Sequence, residues 1–346
     1  MTKIFVTGAT GYVGGDALYT LIKTHPEYEV TALVRNKEKG AVVTKQYPSV
    51  SLVYGDLDDF ELLADEVSKA DIIGHWASCE HEGAAKAIVE GIARRGKGKP
   101  GFIIHLSGAD IICFEDLAEV TYGIKRDRIF DDWHGLNEVT SPPDNAPHRE
   151  VDGAILEGAK RGAKTAIVCP PTIYGTGRGP GNQRSIQVPE LARRSLQRGA
   201  ALTVKGGENI WNSVHVHDLS QLWLKLIEAA AQGGGKADWG TNGFYFVENG
   251  DFSWKAIAER IAQEAKQQGL LKQETVDSLS VDDADKVWEY GSFFWGTNSR
   301  SRATRARKVL GWSPEAKDDI FDDVAAVVAA EAKALGLPVV MRDWLI

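Results

Sequence analysis

The sequence has little of what marks several large classes of protein. It contains only three cysteines, Cys79, Cys113 and Cys169, which are widely spaced and form neither a Cys-x-x-Cys pattern nor a Cys/His metal pattern. The spacing therefore predicts no metal site, and a role for a thiol stays open. Buried structural thiols are the simpler interpretation of these three residues.

Long apolar runs and an excess of basic residues are also missing. No apolar stretch approaches the roughly 20 residues that a membrane-spanning helix needs, and the chain starts on a strand pattern instead of a signal segment. Acidic residues outnumber basic ones by 48 to 40, giving a net charge of −8, which argues against a nucleic-acid surface. We expect a cytoplasmic protein with a small-molecule substrate and neither nucleic acid nor membrane as partner. The sequence leaves open whether the protein forms a homo-oligomer.

A glycine-rich loop comes almost at the start of the chain. Residues 3–6 form an apolar run typical of a buried parallel strand, and the loop of residues 7–14 follows directly. Gly8 permits a tight turn, Gly11 lets backbone N–H groups approach a pyrophosphate, and Gly14 lets the next helix pack closely on the strand. Because residues 16–23 have a helical pattern, the phosphates would lie at a helix N-terminus. The loop predicts a dinucleotide site.

Strand and helix patterns alternate along much of the chain. Apolar runs predict seven strands, at residues 3–6, 28–34, 51–54, 71–76, 102–106, 165–169 and 244–247. Helical periodicity lies between most of them, as at residues 60–69, 83–95 and 150–160. This alternation predicts an α/β fold of the Rossmann type, a doubly wound parallel sheet whose ligands bind at the carboxyl ends of the strands.

Two stretches interrupt the alternation with helical segments, Gly/Pro breaks and clustered aromatic residues. We predict that residues 1–176 with 213–247 form the dinucleotide-binding Rossmann domain, and that residues 177–212 with 248–346 form a smaller C-terminal substrate lobe. Five aromatic residues of the second stretch predict a largely apolar pocket or an interface, with ordinary packing as the alternative: Trp288, Tyr290, Phe293, Phe294 and Trp295.

Together these features resemble the extended and atypical short-chain dehydrogenase/reductases, a superfamily that includes nucleotide-sugar epimerases and dehydratases, and within it fungal proteins of the atypical group. The resemblance also rests on Gly55-Asp56-Leu57, on His105-Leu106-Ser107, on residues 170–175 and 214–219, and on residues 310–314. It implies these cofactor-binding residues: Gly8, Thr10, Gly11, Tyr12, Val13, Gly14, Asp56, Leu57, Trp76, Ala77, Pro170, Thr172 and Ile173. A helix-capping role for Asp56 and a core-packing role for Trp76 are the alternatives.

The end of the second predicted strand indicates which dinucleotide is bound. A carboxylate at this place binds the ribose 2′-OH of NAD, whereas an arginine suits the 2′-phosphate of NADP. The sequence has Arg35 here, followed by Asn36 and Lys37. We therefore predict NADP(H) as the cofactor, with a solvated basic turn as the alternative interpretation of these residues.

The Tyr-x-x-x-Lys pair of the superfamily is absent. In the enzymes that the chain resembles, the tyrosine moves a proton, the lysine four residues later lies on the same helix face, and a serine after strand five positions the substrate oxygen. Ser107 matches that serine. Counting back from Pro170 puts Asp144 and His148 where the pair would stand, or His148 and Asp152 if the register shifts by one turn.

Two residues are candidates for the missing acid. His148 has the right ordinary pKa, near 6.5, although it could instead pair with its neighbours at a helix start. Tyr122 lies in the long segment 108–147, and a structural tyrosine is the alternative. We predict an NADP(H)-dependent oxidoreductase or epimerase-like enzyme for a small, largely apolar carbonyl or hydroxyl substrate, with Ser107, Tyr122 and His148 as catalytic residues. A non-catalytic NADP(H)-sensing regulator of the nitrogen-metabolite-repressor type is the alternative.

Overall fold

A computed structural model describes residues 2–95 and 100–338 of the 346-residue chain. The strands in these residues are β1 (Lys3–Thr7), β2 (Glu29–Val34), β3 (Ser51–Tyr54), β4 (Ile72–His75), β5 (Phe102–Leu106), β6 (Phe130–Asp131), β7 (Lys164–Cys169), β8 (Thr172–Tyr174), β9 (Ala201–Val204), β10 (Ile210–His215), β11 (Phe244–Phe246), β12 (Asp251–Ser253), β13 (Val276–Leu279) and β14 (Ser301–Arg302). The α-helices are α1 (Tyr12–Thr24), α2 (Lys37–Gln46), α3 (Phe60–Lys69), α4 (Glu82–Ala93), α5 (Phe114–Glu119), α6 (Leu136–Thr140), α7 (Arg149–Lys160), α8 (Gln187–Arg198), α9 (Val216–Ala231), α10 (Trp254–Gln267), α11 (Val281–Val287), α12 (Gly291–Gly296), α13 (Thr304–Leu310) and α14 (Ile320–Ala334).

The main sheet has seven parallel strands in the order β11-β7-β5-β4-β1-β2-β3. These are the seven strands predicted from the sequence, with bounds that agree to within one residue at each end. The prediction of a Rossmann-type, doubly wound sheet is confirmed. Short Val/Ile/Phe-rich runs are typical of such strands because both faces of a parallel sheet are covered by helices.

Alternate residues of each strand build two separate cores. Ile4 and Val6 of β1 belong to a cluster formed with α1 and α9, whereas Phe5 belongs to a second cluster formed with α3, α4 and α7. The two-residue repeat of a strand causes this division, since neighbouring side chains point to opposite faces. The sheet is therefore buried on both sides, and only its ends are open for ligands.

The strand order reverses at β1, which pairs with β2 on one side and with β4 on the other. A crevice forms at such a switch point, outside the carboxyl ends of the strands. The loops after β1, β2, β4 and β5 all open there. The glycine loop and Ser107 therefore belong to the same edge of the sheet.

Much of the remaining chain packs into a third apolar cluster. This cluster includes α8, α10 and α14, which pack together beside the two-stranded sheet of β9 and β13. One helix of the predicted lobe lies elsewhere. Helix α13 contacts strand β11 of the main sheet and helix α9, which packs on that sheet. The division into two domains stays a prediction. None of the helices in the described residues is long and apolar enough to cross a bilayer.

Candidate functional site

The glycine loop has the tight geometry that the sequence predicts for it. Gly8 has a φ of 81°, and a Cβ there would lie 2.6 Å from the carbonyl oxygen of Trp76. The N–H of Gly11 donates to the carbonyl of Gly8 over 2.8 Å, closing the turn directly before α1. A Cβ on Gly14 would overlap the Gly8 carbonyl oxygen. The loop therefore brings backbone N–H groups to the start of α1, where an anion is stabilised.

A substitution in this loop gives a direct test of its packing. Gly14→Ala should abolish nucleotide binding and destabilise the fold, because the new methyl group would collide with the Gly8 carbonyl and crowd Trp76. Dye-detected thermal unfolding and NADPH fluorescence titration measure the two effects. Gly153→Ala is the matched control, since a Cβ there meets nothing within 4 Å and the residue lies inside α7. Equal stability and binding in the two variants would contradict the assignment of the loop.

A cleft of about 530 Å³ opens in front of this loop. Seven of the predicted cofactor residues line it: Gly8, Thr10, Gly11, Arg35, Asp56, Leu57 and Ala77. Eight further residues also line it: Thr7, Leu33, Val34, Lys39, Asp58, Ser78, His81 and Asn182. The loops after β1, β2, β3 and β4 each contribute, so the cleft lies at the carboxyl edge where the topology predicts a nucleotide.

Two cations lie at the part of the cleft that follows β2. Arg35 is exposed directly after the strand, and Lys39 reaches the cleft from α2. Asn36 caps this helix by accepting a hydrogen bond from the N–H of Lys39 over 2.9 Å, which fixes the direction of α2. The residues that line the cleft include no carboxylate from the end of β2. The cap of α2 therefore places a second positive charge near Arg35 at this end of the cleft.

The other predicted cofactor residues have different surroundings. The Trp76 side chain, only 3% exposed, packs in the core against Trp223, with ring centroids 6.0 Å apart. This agrees with the core-packing alternative for the Trp76 side chain, and its place in the cofactor site stays a prediction. The Tyr12 hydroxyl donates to the carbonyl of Gly175 over 2.6 Å, and burial raises the pKa of this tyrosine well above its usual value. Val13, Pro170, Thr172 and Ile173 stay predictions.

A segment far along the chain covers the glycine loop. Residues 177–185, which we call the strap, run across the start of α1, and the N–H of Asn182 donates to the carbonyl of Thr10 over 2.9 Å. Gly179 and Gly181 lie against Gly15 and Thr10 so closely that a Cβ on either would collide with the backbone. Part of the nucleotide cleft is therefore built by residues about 170 positions after the loop.

The strap is fastened by a buried carboxylate. Asp16 is fully buried in α1, and its oxygens accept hydrogen bonds from the Arg178 backbone N–H at 2.8 Å and guanidinium at 2.6 Å, and from the Ser220 hydroxyl at 2.6 Å. Burial alone would raise the pKa of Asp16, but the hydrogen bonds from Arg178 and Ser220 outweigh it, so the pKa lies below its usual value. Asp16 is therefore ionised at neutral pH and holds the strap down.

Ser107 and Asp152 form a buried pair beyond the cleft. The Ser107 hydroxyl donates to Asp152 Oδ2 over 2.8 Å, and the two residues are 2% and 4% exposed. Asp152 comes from the first turn of α7, the helix that leads into β7. The sequence allows two registers for the missing pair, Asp144 with His148 or His148 with Asp152. The hydrogen bond joins Ser107 to Asp152, which belongs to the second register. Asp144 lies in a turn before α7, with its side chain 93% exposed.

Two buried histidines lie behind this pair. His105 Nε2 is 3.4 Å from Asp152 Oδ1, and its ring stacks on that of His75 with centroids 5.1 Å apart. His75 Nδ1 lies 2.8 Å from the hydroxyl of Thr7. Burial, together with the neighbouring His105 and His81, holds the pKa of His75 well below its usual value, so its ring is neutral. A polar row thus runs beneath the carboxyl ends of three adjacent strands.

His148 caps α7 and lies between two carboxylates. Its φ of 60° is in the left-handed region, and its Nε2 is 2.6 Å from Asp110 Oδ1 and its Nδ1 2.5 Å from Glu80 Oε1. A Cβ on Gly108 would lie 2.8 Å from Nε2, so only glycine leaves room for the ring. Burial alone would lower the pKa of His148, but Asp110, Cys79 and Glu80 raise it well above its usual value.

Tyr122 is not part of this group. It packs against the third apolar cluster, where a Cβ on Gly296 would lie 3.2 Å from its ring, and burial raises its pKa. The aromatic residues predicted to line a pocket pack on one another: the Trp288 ring lies 5.3 Å from that of Phe294 and 5.0 Å from that of Trp295. The structure therefore gives Tyr122 and these aromatics a packing environment in the third apolar cluster.

Several polar residues of this edge did not stand out in the sequence. Glu80 and Cys79 follow β4, and Asp110 follows β5, the neighbouring strand. Adjacent parallel strands end at the same edge of the sheet. That these residues each come only a few positions after a strand end was the signal that could have placed them together. Lys39 and Asn182 had no such signal, since the cap of α2 and the path of the strap decide their positions.

Comparisons with known proteins agree with this geometry. The model of the NmrA-like family matches residues 1–97. The oxidase ucsJ of Acremonium sp is 38% identical over 345 residues, which is 97% of this chain and 99% of that protein. Among solved structures, the dTDP-glucose 4,6-dehydratase DesIV of Streptomyces venezuelae, with NAD and TYD bound, is similar with a TM-score of 0.67 at 17% identity, covering 97% of this chain and 98% of the other.

A second solved structure has the same relation to the chain. The UDP-glucose 4-epimerase of Thermotoga maritima, with UDP-glucose, is similar with a TM-score of 0.64 at 15% identity, covering 96% of this chain and all of the other. At such identities the likeness concerns the fold alone. The full-length similarity to ucsJ carries the family relationship.

Proposed function

We propose that this chain, which belongs to the NmrA-like, atypical short-chain dehydrogenase/reductases, is an NADP(H)-dependent oxidoreductase acting on a small hydroxyl or carbonyl substrate. Its similarity to the oxidase ucsJ extends over nearly the full length of both proteins. One observation carries the proposal. In the buried Ser107–Asp152 pair, Ser107 follows β5, the strand next to β4, whose following loop lines the cleft, and in this superfamily the acid/base residues lie at this edge of the sheet.

The residues of the cleft fit a dinucleotide phosphate. The glycine loop leaves no space for side chains and turns its N–H groups toward the start of α1. Arg35 and Lys39 offer two positive charges for the 2′-phosphate. When bound, this cofactor supplies or accepts a hydride. The predicted largely apolar substrate receives no support from the aromatic residues that pack on one another.

Ser107 and Asp152 suit the handling of the substrate proton. Because Ser107 donates its proton to Asp152, its hydroxyl oxygen can accept a hydrogen bond from a substrate hydroxyl. Asp152 can take the serine proton while the serine takes that of the substrate. His148 lies against Gly108, the residue that follows Ser107. Its positive charge stabilises an oxyanion that develops on the substrate. Tyr122 has no role in this proposal.

Cofactor preference can be tested without knowing the substrate. The double variant Arg35→Glu with Lys39→Glu should bind NADPH about 10–100-fold more weakly, because charge-assisted hydrogen bonds to the phosphate are lost. NADH binding should change little. Fluorescence titration measures both affinities. Lys37→Glu is the control, because Lys37 is exposed on the same helix and does not line the cleft. Equal losses for NADH and NADPH would rule out the phosphate contact.

A non-catalytic sensor of the nicotinamide ratio is the second candidate. It is favoured by the start of α7, where His148 and Asp152 stand in place of a tyrosine and a lysine. The two functions differ in a simple assay. A sensor binds NADPH and NADP⁺ with different affinities and consumes neither, whereas the enzyme consumes NADPH with some member of a panel of aldehydes, ketones and enones.

A further inference from the structure

We propose that Cys79, Glu80 and His148 bind a divalent transition metal ion, with zinc as the best match to their donor atoms. One donor atom from each residue lies within 4.8 Å of the others. Zinc binds thiolate, imidazole and carboxylate, and catalytic zinc sites have three protein ligands and an open fourth position. The cluster offers such a set: one sulfur, one nitrogen and one oxygen.

His148 presents an imidazole nitrogen that has no hydrogen-bond partner among the described residues. Its side chain is only 4% exposed, and Nδ1 makes no hydrogen bond although Glu80 Oε1 is 2.5 Å away. The oxygen thus lies beside the direction in which Nδ1 would donate. Two ligands of one ion share this angular relation, because the ion occupies the lone-pair direction of the nitrogen and the oxygen lies to one side, but the Nδ1–Oε1 separation must widen from 2.5 Å when an ion binds.

The other ring nitrogen of His148 has the support that metal-binding histidines need. Nε2 lies 2.6 Å from Asp110 Oδ1, and the Asp110 side chain is 14% exposed. A carboxylate in this position holds the proton on Nε2, so that an ion that displaces the proton of Nδ1 can bind there. Gly108 and the left-handed backbone of His148 hold the ring in this orientation.

The remaining donors can close on an ion. The Glu80 side chain is 67% exposed, and Cys79 is half-buried at the surface end of the cluster. Zinc–ligand bonds of roughly 2.0–2.3 Å hold tetrahedral donors about 3.3–3.8 Å apart, so shifts on the order of 1 Å suffice. Cys79 and His148 are far apart in sequence, which is why the spacing of the cysteines predicted no metal site.

The position of the cluster suggests what the ion does. Cys79 directly follows Ala77 and Ser78, which line the nucleotide cleft, and His148 touches Gly108, the neighbour of Ser107. In a role that rests on the proposed function, the ion would bind the substrate oxygen in place of the absent tyrosine. It would then carry the positive charge that a proton on His148 otherwise supplies. The binding of the ion does not depend on that role.

The test uses the full-length chain, treated with a chelator and then titrated with Zn²⁺ by calorimetry and with Co²⁺ by absorption spectroscopy. One equivalent of each should bind, and Co²⁺ should give a thiolate charge-transfer band that Cys79→Ser removes. His148→Gln should weaken Zn²⁺ binding by at least about 100-fold, and Asp110→Asn by about 10–100-fold. Glu82→Gln is the matched control, because this nearby carboxylate pairs with Lys86 outside the cluster.

The proposal would be overturned if the unsubstituted chain bound well below one equivalent of Zn²⁺. It would also be overturned if Cys79→Ser and His148→Gln bound Zn²⁺ as tightly as the unsubstituted chain does. Circular dichroism identifies any variant that fails to fold, and Glu80→Gln, at an exposed side chain, then serves as the ligand variant. NADPH titration of the chelator-treated protein is done separately. Loss of NADPH binding there would count against the proposed function, whereas absence of Zn²⁺ binding alone would count only against the metal site.

Discussion

Asp152→Asn should lower the rate of NADPH-dependent turnover by about 10²–10⁴-fold while leaving NADPH affinity nearly unchanged. The size is that of a lost acid/base group, since the amide still accepts the hydrogen bond of Ser107 but cannot replace the proton that Ser107 gives to the reduced carbonyl. The substitution is close in shape, so the buried packing around α7 is retained. Turnover is measured as NADPH consumption with the best substrate from the carbonyl panel.

Two further variants separate this role from a structural one. Asp144→Asn, in the other register considered for the missing pair, should have wild-type activity because its side chain is exposed. Ser107→Ala should lose a similar amount, and the double variant with Asp152→Asn should lose no more than either single one, because the two residues act as a unit. Additive losses, or an active Asp152→Asn, would exclude the pair as the proton-handling group.

Asp16→Ala should destabilise the protein by about 3–5 kcal/mol, since it removes one partner of a buried ion pair and leaves the hydrogen bonds of Arg178 and Ser220 unmet. NADPH affinity should fall as well, because the strap loses its fastening over the glycine loop. Urea unfolding, followed by tryptophan fluorescence, gives the free energy. Asp65→Ala is the control: its pair with Lys69 is exposed, so its loss should cost at most about 0.5 kcal/mol.

The buried carboxylate of Asp16 also predicts that the free energy of unfolding depends on pH. Because the pKa of Asp16 is lowered on folding, its stabilising contribution is complete at neutral pH and is lost as the pH falls through the folded-state pKa, below the usual value of about 3.9. Unfolding of the unsubstituted chain should therefore become easier on acidification, and Asp16→Ala should lack this part of the change. A parallel pH dependence in both proteins would contradict the ion pair.

Local patterns were sufficient for the sheet and for one side of the cleft. The seven apolar runs give the seven strands because most of these strands are buried on both faces, so that hydrophobicity marks them; the edge strand β3, with Ser51 and Tyr54 exposed, is the exception. Gly8 and Arg35 were predictable for a related reason. Each follows a strand at a fixed short distance, and the parallel sheet brings such positions to one edge.

The rest of the site depends on contacts that no local pattern encodes. The direction of the Trp76 side chain is decided by packing against Trp223, nearly 150 residues later. His148 reaches Asp110 and Glu80 because its backbone adopts a left-handed conformation next to Gly108, and a histidine gives no signal of this in sequence. Tyr122 was a candidate because it lies in the long segment 108–147, and the structure packs it against the third apolar cluster.

The strap has a consequence for how the protein can be divided. Residues 1–97, the part that the NmrA-like family model matches, contain the glycine loop, Arg35 and Asp16, but neither Arg178 nor Asn182. A fragment of that length would expose the top of α1 and leave an ionised carboxylate without its counter-ion. The cofactor-binding unit is thus assembled from both halves of the polypeptide, and on the ribosome it is completed only after the strap has been synthesised.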